Sequence, residues 1–238
     1  MKLALIGYGK MGKAIEDIAL KRGHEVVLAI DIQNAADLNK ANLDKAEVAI
    51  EFTSPESAFA NVMTCMKAGI PLVVGSTGWL HHLREVEEAC LQHQAALLVS
   101  SNFSVGVNLF FELNKKLAAL MKGHPEYNVS MEETHHTQKK DAPSGTAITL
   151  AEQLLEQLPE KKKWVNAPQL AADELSIISK RIDPAPGTHK ISYDSTIDTI
   201  EITHTAHNRM GFATGAVLAA EFIRGKKGIF QMQDVLGF

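Results

Sequence analysis

Short apolar runs alternate with segments of helical periodicity through the N-terminal part of the chain. After the first run, Ile15, Ile18 and Ala19 recur at helical spacing before Gly23 ends the pattern. Strands that alternate with helices predict a parallel, doubly wound sheet. The predicted strands are Lys2–Ile6, Glu25–Ile30, 47–52, 71–74 and Ala96–Val99, and the predicted helices are 13–22, Pro55–Ala68 and 80–93.

The pattern changes after Asn102, where the alternation of strands with helices stops. Residues 128–133 alternate as a half-exposed strand does, and later segments predict strands of a mixed or antiparallel sheet. We therefore predict a second, α+β domain, residues 107–209, inserted into a first domain of residues 1–106 and 210–238. Its predicted strands continue at 176–179, 190–193 and 199–204; helices are predicted at 105–122, 146–158 and, closing the chain, 212–224; residues 160–163 are interpreted as a charged connector.

The sequence Gly7-Tyr8-Gly9-Lys10-Met11-Gly12 matches G-x-G-x-x-G and lies between the first predicted strand and helix. The first glycine permits a tight turn, the second lets a pyrophosphate approach the backbone, and the third allows strand–helix packing. The N–H groups and dipole of the helix start favour phosphate. The motif predicts a dinucleotide site in a Rossmann-type sheet, with a turn that serves packing alone as the alternative. A P-loop is disfavoured because G-x-x-x-x-G-K-[ST] does not occur.

Asp31 stands at the end of the second predicted strand, 19 residues beyond Gly12. A carboxylate there can accept hydrogen bonds from the adenine-ribose diol and would repel a 2′-phosphate. The next residue, Ile32, supplies no arginine clamp. The sequence therefore favours NADH over NADPH.

The turn Gly75-Ser76-Thr77-Gly78 follows another predicted strand of the same sheet. Ligands of open α/β sheets lie beyond the carboxyl ends of the strands, so this turn is expected to flank the nicotinamide end of the cofactor. An ordinary strand-to-helix turn explains the glycines equally well.

Residues 134–147 read T-H-H-T-Q-K-K-D-A-P-S-G-T-A and concentrate basic and small residues. Ser144-Gly145-Thr146 enters a predicted helix, where N–H groups and hydroxyls form a cradle for an anion. Lys139 would hold a carboxylate there by charge-assisted hydrogen bonds. His135 or His136 could exchange a proton beside it.

Two other interpretations of this loop stay open. It could be a solvated basic turn in which Ser144 or Thr146 only caps the helix. His135 and His136 could also bind zinc together with His204 or His207, but cysteine ligands and a standard spacing are lacking. We predict no metal site.

The chain has 238 residues, of which 45% are hydrophobic and 22% charged, as in ordinary globular proteins. The formal charge of −4 gives no reason to expect nucleic acid or an anionic membrane as a partner. The two cysteines, Cys65 and Cys90, cannot form a disulfide framework, which favours a reducing compartment. We recognise no signal peptide or membrane span in the sequence and expect a cytoplasmic protein.

Four motifs together resemble the dihydrodipicolinate (4-hydroxy-tetrahydrodipicolinate) reductase family. They are the long run at 133–147, Gly75-Ser76-Thr77-Gly78, S-N-F-S-V-G-V-N at 101–108 and H-N-R-M-G-F at 207–212. The resemblance implies NAD(P)H-dependent reduction of a cyclic dicarboxylate imine, formed through its hydroxylated precursor, in the diaminopimelate route to lysine. It also implies a homotetramer assembled through the sheet of the second domain.

The resemblance assigns roles to individual residues. His135 looks like the proton donor or acceptor, and Lys139 like its catalytic partner and a carboxylate binder. The implied substrate-binding residues are His136, Ser144, Gly145 and Thr146. The implied cofactor contacts are Gly7, Tyr8, Gly9, Lys10, Met11, Gly12, Asp31, Gly75, Ser76, Thr77, Ser100, Ser101, Asn102 and Phe103.

The chain also departs from the family pattern. Its first glycine loop is one residue shorter than in many members, with lysine for arginine, and Ile32 stands where many have a basic residue. The cofactor is therefore expected to be NADH or NADPH, with NADH slightly favoured. Other candidates are an amino-acid or aldehyde dehydrogenase that uses NAD(P), or a non-catalytic NADH-binding module. An acylating aldehyde dehydrogenase would need a nucleophilic cysteine, whereas Cys65 and Cys90 fall in predicted helices.

Overall fold

The computed structural model describes residues 1–168, 171–208 and 210–238. The chain divides into two compact units: unit 1 comprises Met1–Val105 and Met210–Phe238, and unit 2 comprises Gly106–Arg209. None of the helices in these described ranges is both long and apolar enough to span a membrane.

The elements are numbered in chain order. The strands are β1 Lys2–Ile6, β2 Glu25–Ile30, β3 Val48–Glu51, β4 Leu72–Val74, β5 Ala96–Val99, β6 Asn128–His135, β7 Lys163–Val165, β8 Glu174–Arg181, β9 Gly187–Asp194, β10 Thr199–Ala206 and β11 Gly228–Phe230. The α-helices are α1 Lys10–Lys21, α2 Lys40–Leu43, α3 Pro55–Ala68, α4 Leu83–Gln92, α5 Val105–Met121, α6 Gly145–Gln157, α7 Met210–Ile223 and α8 Met232–Leu236. Ala35–Asp37 and Leu80–His82 form 3₁₀ turns.

The described part of unit 1 contains a six-stranded parallel sheet in the order β11-β5-β4-β3-β1-β2. Its four central strands, β5, β4, β3 and β1, are buried on both faces, which explains why they appear in the sequence as continuous apolar runs. In β1, Ala4 and Ile6 join one core cluster, and Leu3 and Leu5 join the other. The chain passes to opposite sides of β1 when it forms β2 and then β3, so the sheet has a switch point at β1.

Among the residues that the structure describes, unit 2 forms a five-stranded mixed sheet in the order β10-β9-β6-β8-β7. The β6–β8 and β7–β8 pairs are parallel, and the β6–β9 and β9–β10 pairs are antiparallel. Apolar residues of α5 and α6, such as Phe110 and Leu150, join a core with Met131, Ile177 and Ile191 of the sheet. The predicted fold class, a doubly wound parallel sheet with a second α+β domain, is confirmed.

Several predicted boundaries are wrong. The first helix begins at Lys10 rather than residue 13, because the glycine loop leads directly into it. The helix predicted at 80–93 is a 3₁₀ turn followed by α4. The chain does not close with the helix predicted at 212–224, since β11 and α8 follow α7. Strands of three residues, such as β7 and β11, are too short to show a period.

Residues 160–163 are more than a charged connector. The Lys161 side chain is buried, and its Nζ donates to the carbonyl oxygens of Ala172 at 2.9 Å and Glu174 at 3.0 Å and to Asn128 Oδ1 at 3.2 Å. These three oxygens offset the cost of burying the ammonium group. Burial lowers the pKa of Lys161.

Candidate active site

The three glycines of the first loop are required for different structural reasons. Gly7 has φ +97°, and a Cβ there would lie 2.0 Å from the Phe52 carbonyl oxygen. A Cβ on Gly12 would lie 2.3 Å from the Gly7 carbonyl oxygen. A Cβ on Gly9 would meet no heavy atom within 4 Å. Packing therefore accounts for the first and third glycines, whereas the second faces open space, where a ligand could approach the backbone.

A cleft of about 580 Å³ lies at the carboxyl ends of β1, β2 and β3 and includes Gly7, Tyr8 and Gly9 in its lining. This is the crevice where doubly wound sheets bind ligands. Asp31 lines it from the end of β2, with Oδ1 accepting a 2.7 Å hydrogen bond from the Gln33 N–H. Beside it, Ile32 is 97% exposed. Among the described residues that line the cleft, none is lysine or arginine.

A hydrogen-bonded group ties the Gly75–Gly78 turn to the end of β3. The Thr53 N–H donates to Ser76 Oγ at 2.7 Å and to Glu51 Oε1 at 3.0 Å. The Glu51 side chain is fully buried, and burial raises its pKa. A Cβ on Gly75 would lie 2.2 Å from the Phe52 ring. The turn therefore lies beside Thr53, which lines the cleft, while packing alone already explains Gly75.

The other predicted cofactor contacts are placed as follows. At the end of β5, Ser100 Oγ donates to the Asn102 carbonyl oxygen at 2.8 Å. Ser101 is exposed, whereas Phe103 is 1% exposed with its ring 5.6 Å from that of Phe52. A cofactor could therefore reach residue 103 only through its main chain. Lys10 and Thr77 are exposed, Met11 packs at the edge of the core, and Tyr8 donates its hydroxyl to Glu16.

A separate polar cluster lies in unit 2, at the end of β6. Contrary to the prediction, β6 continues to His135, so the first histidine of the motif belongs to a strand and is 8% exposed. Alternation along β6 puts Glu133 on the same buried face. The register places His189 of β9 opposite Glu133, and Arg181 of β8 opposite His135. Three chain segments therefore converge on this histidine.

Glu133 is the centre of this cluster, and its side chain is fully buried. The Ser144 N–H lies 3.2 Å from both carboxylate oxygens, and Arg181 Nη2 donates to Oε1 at 3.1 Å. His135 Nδ1 lies 3.1 Å from Oε2, as an ion-pair contact without hydrogen-bond alignment. Burial raises the pKa of Glu133, but the contacts with His135, Ser144 and Arg181 outweigh it and hold that pKa well below its usual range. The carboxylate is therefore ionised.

His189 is the uncharged neighbour of this carboxylate. Burial, helped by nearby His135, lowers the pKa of His189 to about 4, so its ring is neutral near pH 7. Its Nε2 lies 3.1 Å from Ser144 Oγ and 3.9 Å from Glu133 Oε2. The His135 and His189 rings pack edge to face, with their centroids 5.2 Å apart.

The start of α6 is the segment predicted to bind an anion. Ser144 is the N-cap, and its Oγ accepts the Ala147 N–H at 3.2 Å. Gly145 begins the helix with open space where a Cβ would lie. Thr146 is half-buried in the first turn. An anion can reach the N–H groups of this turn, and the helix dipole favours it there.

The loop between β6 and α6 is held at several points. Lys139 Nζ contacts Asp141 Oδ1 at 2.9 Å and Oδ2 at 2.8 Å, which lowers the pKa of Asp141. Arg181 donates to the carbonyl oxygens of Lys139, at 3.3 Å, and Asp141, at 2.6 Å. Thr137 is bonded to Asp183 through N–H and hydroxyl. The loop is therefore bonded to two other segments of unit 2, and His136 within it is half-buried.

Three polar residues of the cluster were not predicted as site residues from the sequence: Glu133, Arg181 and His189. Alternation within 128–133 could have placed Glu133 beside His135. Arg181 and His189 come from distant strands, and only the register of the sheet brings them to the site.

Within the described residues, Glu133, His135 and His189 have potential ligand atoms within 4.8 Å of one another, a different set from the zinc alternative considered above. Arg181 already donates to this carboxylate, and its positive charge opposes a cation there. The group is better suited to holding a proton than a metal. Arg209 of the late motif lies outside the described residues.

We expect Gly9→Ala to weaken NADH binding without unfolding the protein. The new methyl has open space in the free protein but would occupy the path by which a pyrophosphate approaches the backbone. The Kd for NADH, measured by calorimetry, should rise about tenfold or more, while Tm changes by at most ~5 °C.

Gly123→Ala is the matched control, because a Cβ at Gly123 also meets no atom within 4 Å. It should leave NADH affinity unchanged. If Gly9→Ala binds NADH with the wild-type Kd, the prediction that the pyrophosphate approaches the Gly9 backbone is wrong.

Comparison with known proteins gives a consistent result. A family model described as dihydrodipicolinate reductase, N-terminus, matches residues 1–103, and one described as dihydrodipicolinate reductase, C-terminus, matches residues 106–236. A 4-hydroxy-tetrahydrodipicolinate reductase of Christiangramia forsetii is 51% identical over 238 residues, covering 99% of this chain and 98% of that protein. One of Methanosarcina mazei is 35% identical over 240 residues, covering 99% and 89%.

Solved structures agree at the level of the fold. A dihydrodipicolinate reductase from Paenisporosarcina sp. TG-14 with bound dipicolinate has a TM-score of 0.78 at 23% identity, covering 98% of each chain. An engineered D-amino acid dehydrogenase bound to NADP⁺ has a TM-score of 0.52 at 15% identity, covering 98% of this chain and 93% of that one.

Proposed function

The chain belongs to the dihydrodipicolinate reductase family, and on that premise we propose that it reduces 4-hydroxy-tetrahydrodipicolinate to tetrahydrodipicolinate with NAD(P)H. This is the reductase step of the diaminopimelate route to lysine. The observation that carries the proposal is the ionised Glu133 in contact with His135, beside the helix start at Ser144. A proton-transfer group and an anion cradle are thereby joined in one bonded cluster.

Substrate capture follows from the charges of this cluster. The substrate is a dicarboxylate, and the relative with bound dipicolinate supports a ligand of this class. We propose that one carboxylate accepts from the N–H groups of Gly145 and Thr146 and from Ser144, with His136 alongside. Lys139 pairs with Asp141 in the free protein, so a substrate carboxylate would share or replace that partner.

The chemical step adds one hydride and one proton to the ring, after the hydroxylated precursor has lost water. NAD(P)H supplies the hydride when it is bound in the cleft of unit 1. We propose that His135 delivers the proton, with Lys139 as its partner. The proton comes from the ring nitrogen of an imidazolium, which returns to neutral imidazole, so charge and atoms balance. Lys139 and the helix start fix the substrate for this transfer.

The contacts proposed for the cofactor are those named from the sequence, with Gly9 at the open face and Asp31 at the ribose. NADH is the preferred form in this proposal. Asp31 is an exposed carboxylate, and the described lining of the cleft offers no cation to a 2′-phosphate. Repulsion of that phosphate would act mainly on NADPH.

Asp31→Ser is expected to move the preference toward NADPH. Serine keeps a hydroxyl for the ribose and the Gln33 N–H but removes the negative charge. The ratio of kcat/KM for NADPH to that for NADH should rise about tenfold or more. Asp37→Ser, which removes another exposed negative charge in the 3₁₀ turn that follows, should leave the ratio unchanged. If Asp31→Ser has the same NADPH-to-NADH ratio of kcat/KM as wild type, Asp31 does not determine the choice of cofactor.

The reaction itself is tested by a coupled assay. Dihydrodipicolinate synthase supplies the substrate, and loss of NADH or NADPH absorbance reports turnover. Consumption that depends on the synthase product is expected; a protein that binds NADH but consumes none would be a binding module instead.

The cysteines argue against an acylating aldehyde dehydrogenase. Cys65 and Cys90 are buried, and burial raises the pKa of both thiols. A thiol of this kind is a poor nucleophile near pH 7.

We further propose a cytoplasmic homotetramer, assembled through the sheet of unit 2. One face of this sheet carries ion pairs rather than a core, with Lys180 Nζ 2.6 Å from Glu132 and Lys190 Nζ 2.9 Å from Glu201.

A further inference from the structure

Glu133 connects the two halves of the proposed substrate site. Its Oε2 lies 3.1 Å from Nδ1 of His135, the proposed proton donor. Both of its oxygens lie 3.2 Å from the N–H of Ser144, the residue that opens the anion cradle. Its side chain is fully buried, so water does not screen these contacts.

We propose that Glu133 is a positioning residue: its carboxylate orients His135 for proton transfer and holds the start of α6 where the substrate carboxylate binds. This role rests on the proposed function and deepens it. The resemblance gave Glu133 no role of its own, and this role depends on the Ser144 and Arg181 contacts of the folded protein.

The geometry selects which nitrogen of His135 carries out the transfer. A negative charge 3.1 Å from Nδ1 favours the proton of the ring on that nitrogen rather than on Nε2. Nε2 is then the atom that exchanges a proton with a ligand. Gly187 leaves room at this atom, since a Cβ there would lie 3.0 Å from Nε2.

Arg181 holds Glu133 in place and also donates hydrogen bonds to the loop between β6 and α6. Its Nη2 donates to Glu133 Oε1 at 3.1 Å and to the Asp141 carbonyl oxygen at 2.6 Å, and Nε reaches the Lys139 carbonyl oxygen. Arg181 therefore links the loop that carries Lys139 to Glu133, the carboxylate that contacts His135.

Charged and titratable groups face His135 from each packed element. The acidic groups are Glu133, on its own strand, and Asp141 of the loop, and the basic groups are Arg181 of β8 and Lys139 of the loop. His189 of β9 is neutral near pH 7, and His204 of β10 lies behind it.

Glu133→Gln tests the role, because the amide keeps the shape but loses the charge. We expect kcat to fall about tenfold or more, since orientation of the general acid is part of its contribution. The Kd for dipicolinate, measured by calorimetry, should rise by about tenfold through loss of the charge-assisted bond to Ser144. The Kd for NADH should not change.

Two further variants complete the test. Glu133→Asp keeps the charge on a shorter side chain, so it should restore part of the dipicolinate affinity that Glu133→Gln loses, while kcat stays below that of wild type. Glu174→Gln removes another largely buried carboxylate, at the opposite end of β8, and should match wild type in all three measurements.

The outcomes separate this inference from the proposed function. Absence of wild-type turnover contradicts the proposed function, and the dipicolinate affinities of wild type and Glu133→Gln then still decide whether Glu133 supports the cradle. An active wild type matched by a folded Glu133→Gln in both kcat and dipicolinate Kd overturns the positioning role.

Discussion

Replacing His135 by alanine is expected to lower kcat by about 100- to 10,000-fold, the usual contribution of a positioned general acid or base. His135 is 8% exposed and in contact with an ionised carboxylate, so water cannot easily replace it as the proton donor. The Kd for NADH should stay within about twofold, because the proposed cofactor cleft is built from other segments of the chain. Steady-state kinetics with the synthase-coupled substrate and calorimetry with NADH measure the two effects.

His135→Gln serves as a second variant that fills more of the space left by the ring. Its kcat should also fall, which separates loss of proton transfer from loss of packing. His124→Ala, which removes an exposed histidine bonded to Glu126, is the control and should retain wild-type kinetics. Turnover at the wild-type rate in either His135 variant would contradict the assigned proton role.

Lys139→Ala should damage both substrate affinity and turnover. The Lys139 ammonium is paired with Asp141 at 2.8 Å in the free protein, and a substrate carboxylate could take the place of that partner. A charge-assisted hydrogen bond to a carboxylate is worth about 1.5–3 kcal/mol, so its loss should raise KM by about 10- to 100-fold. We expect kcat to fall by about tenfold or more as well, because misplacement of the ring slows the transfer.

Lys140→Ala is the matched control, since it removes the same charge from the next, exposed residue. Its KM and kcat should be close to those of wild type. If Lys139→Ala leaves both constants unchanged, Lys139 takes no part in the mechanism. If Lys140→Ala has the same effect as Lys139→Ala, the loop acts only through its net charge.

The parts of the fold with a clear local signal were predictable. Strands buried on both faces, such as β1 and β5, appear as apolar runs with the bounds that the structure has. The helix α3 also has the predicted bounds, because Pro55 suits its first turn and Gly69 ends it with φ +77°. The strand β11 was missed because it is three residues long and pairs with β5, far away in sequence.

Residues of the candidate site were likewise predictable only where the sequence carries a local signal. His135, Lys139 and Ser144 were predicted as site residues because they lie in one contiguous motif. Alternation along β6 could also have placed Glu133 beside His135. Arg181 reaches the motif only through the register of β6 with β8, which no local pattern records. Burial of His135 was also missed, since the strand continues two residues beyond the predicted end.

The central claim is tested most directly by a crystal structure of the protein with NADH and dipicolinate bound together. The account predicts the pyrophosphate against Gly9, one carboxylate of dipicolinate on Lys139 and the N–H groups of Gly145 and Thr146, and the nicotinamide C4 about 3–4 Å from the dipicolinate ring. Two ligands held in separate cavities of every protomer, with neither carboxylate on Lys139, would contradict it.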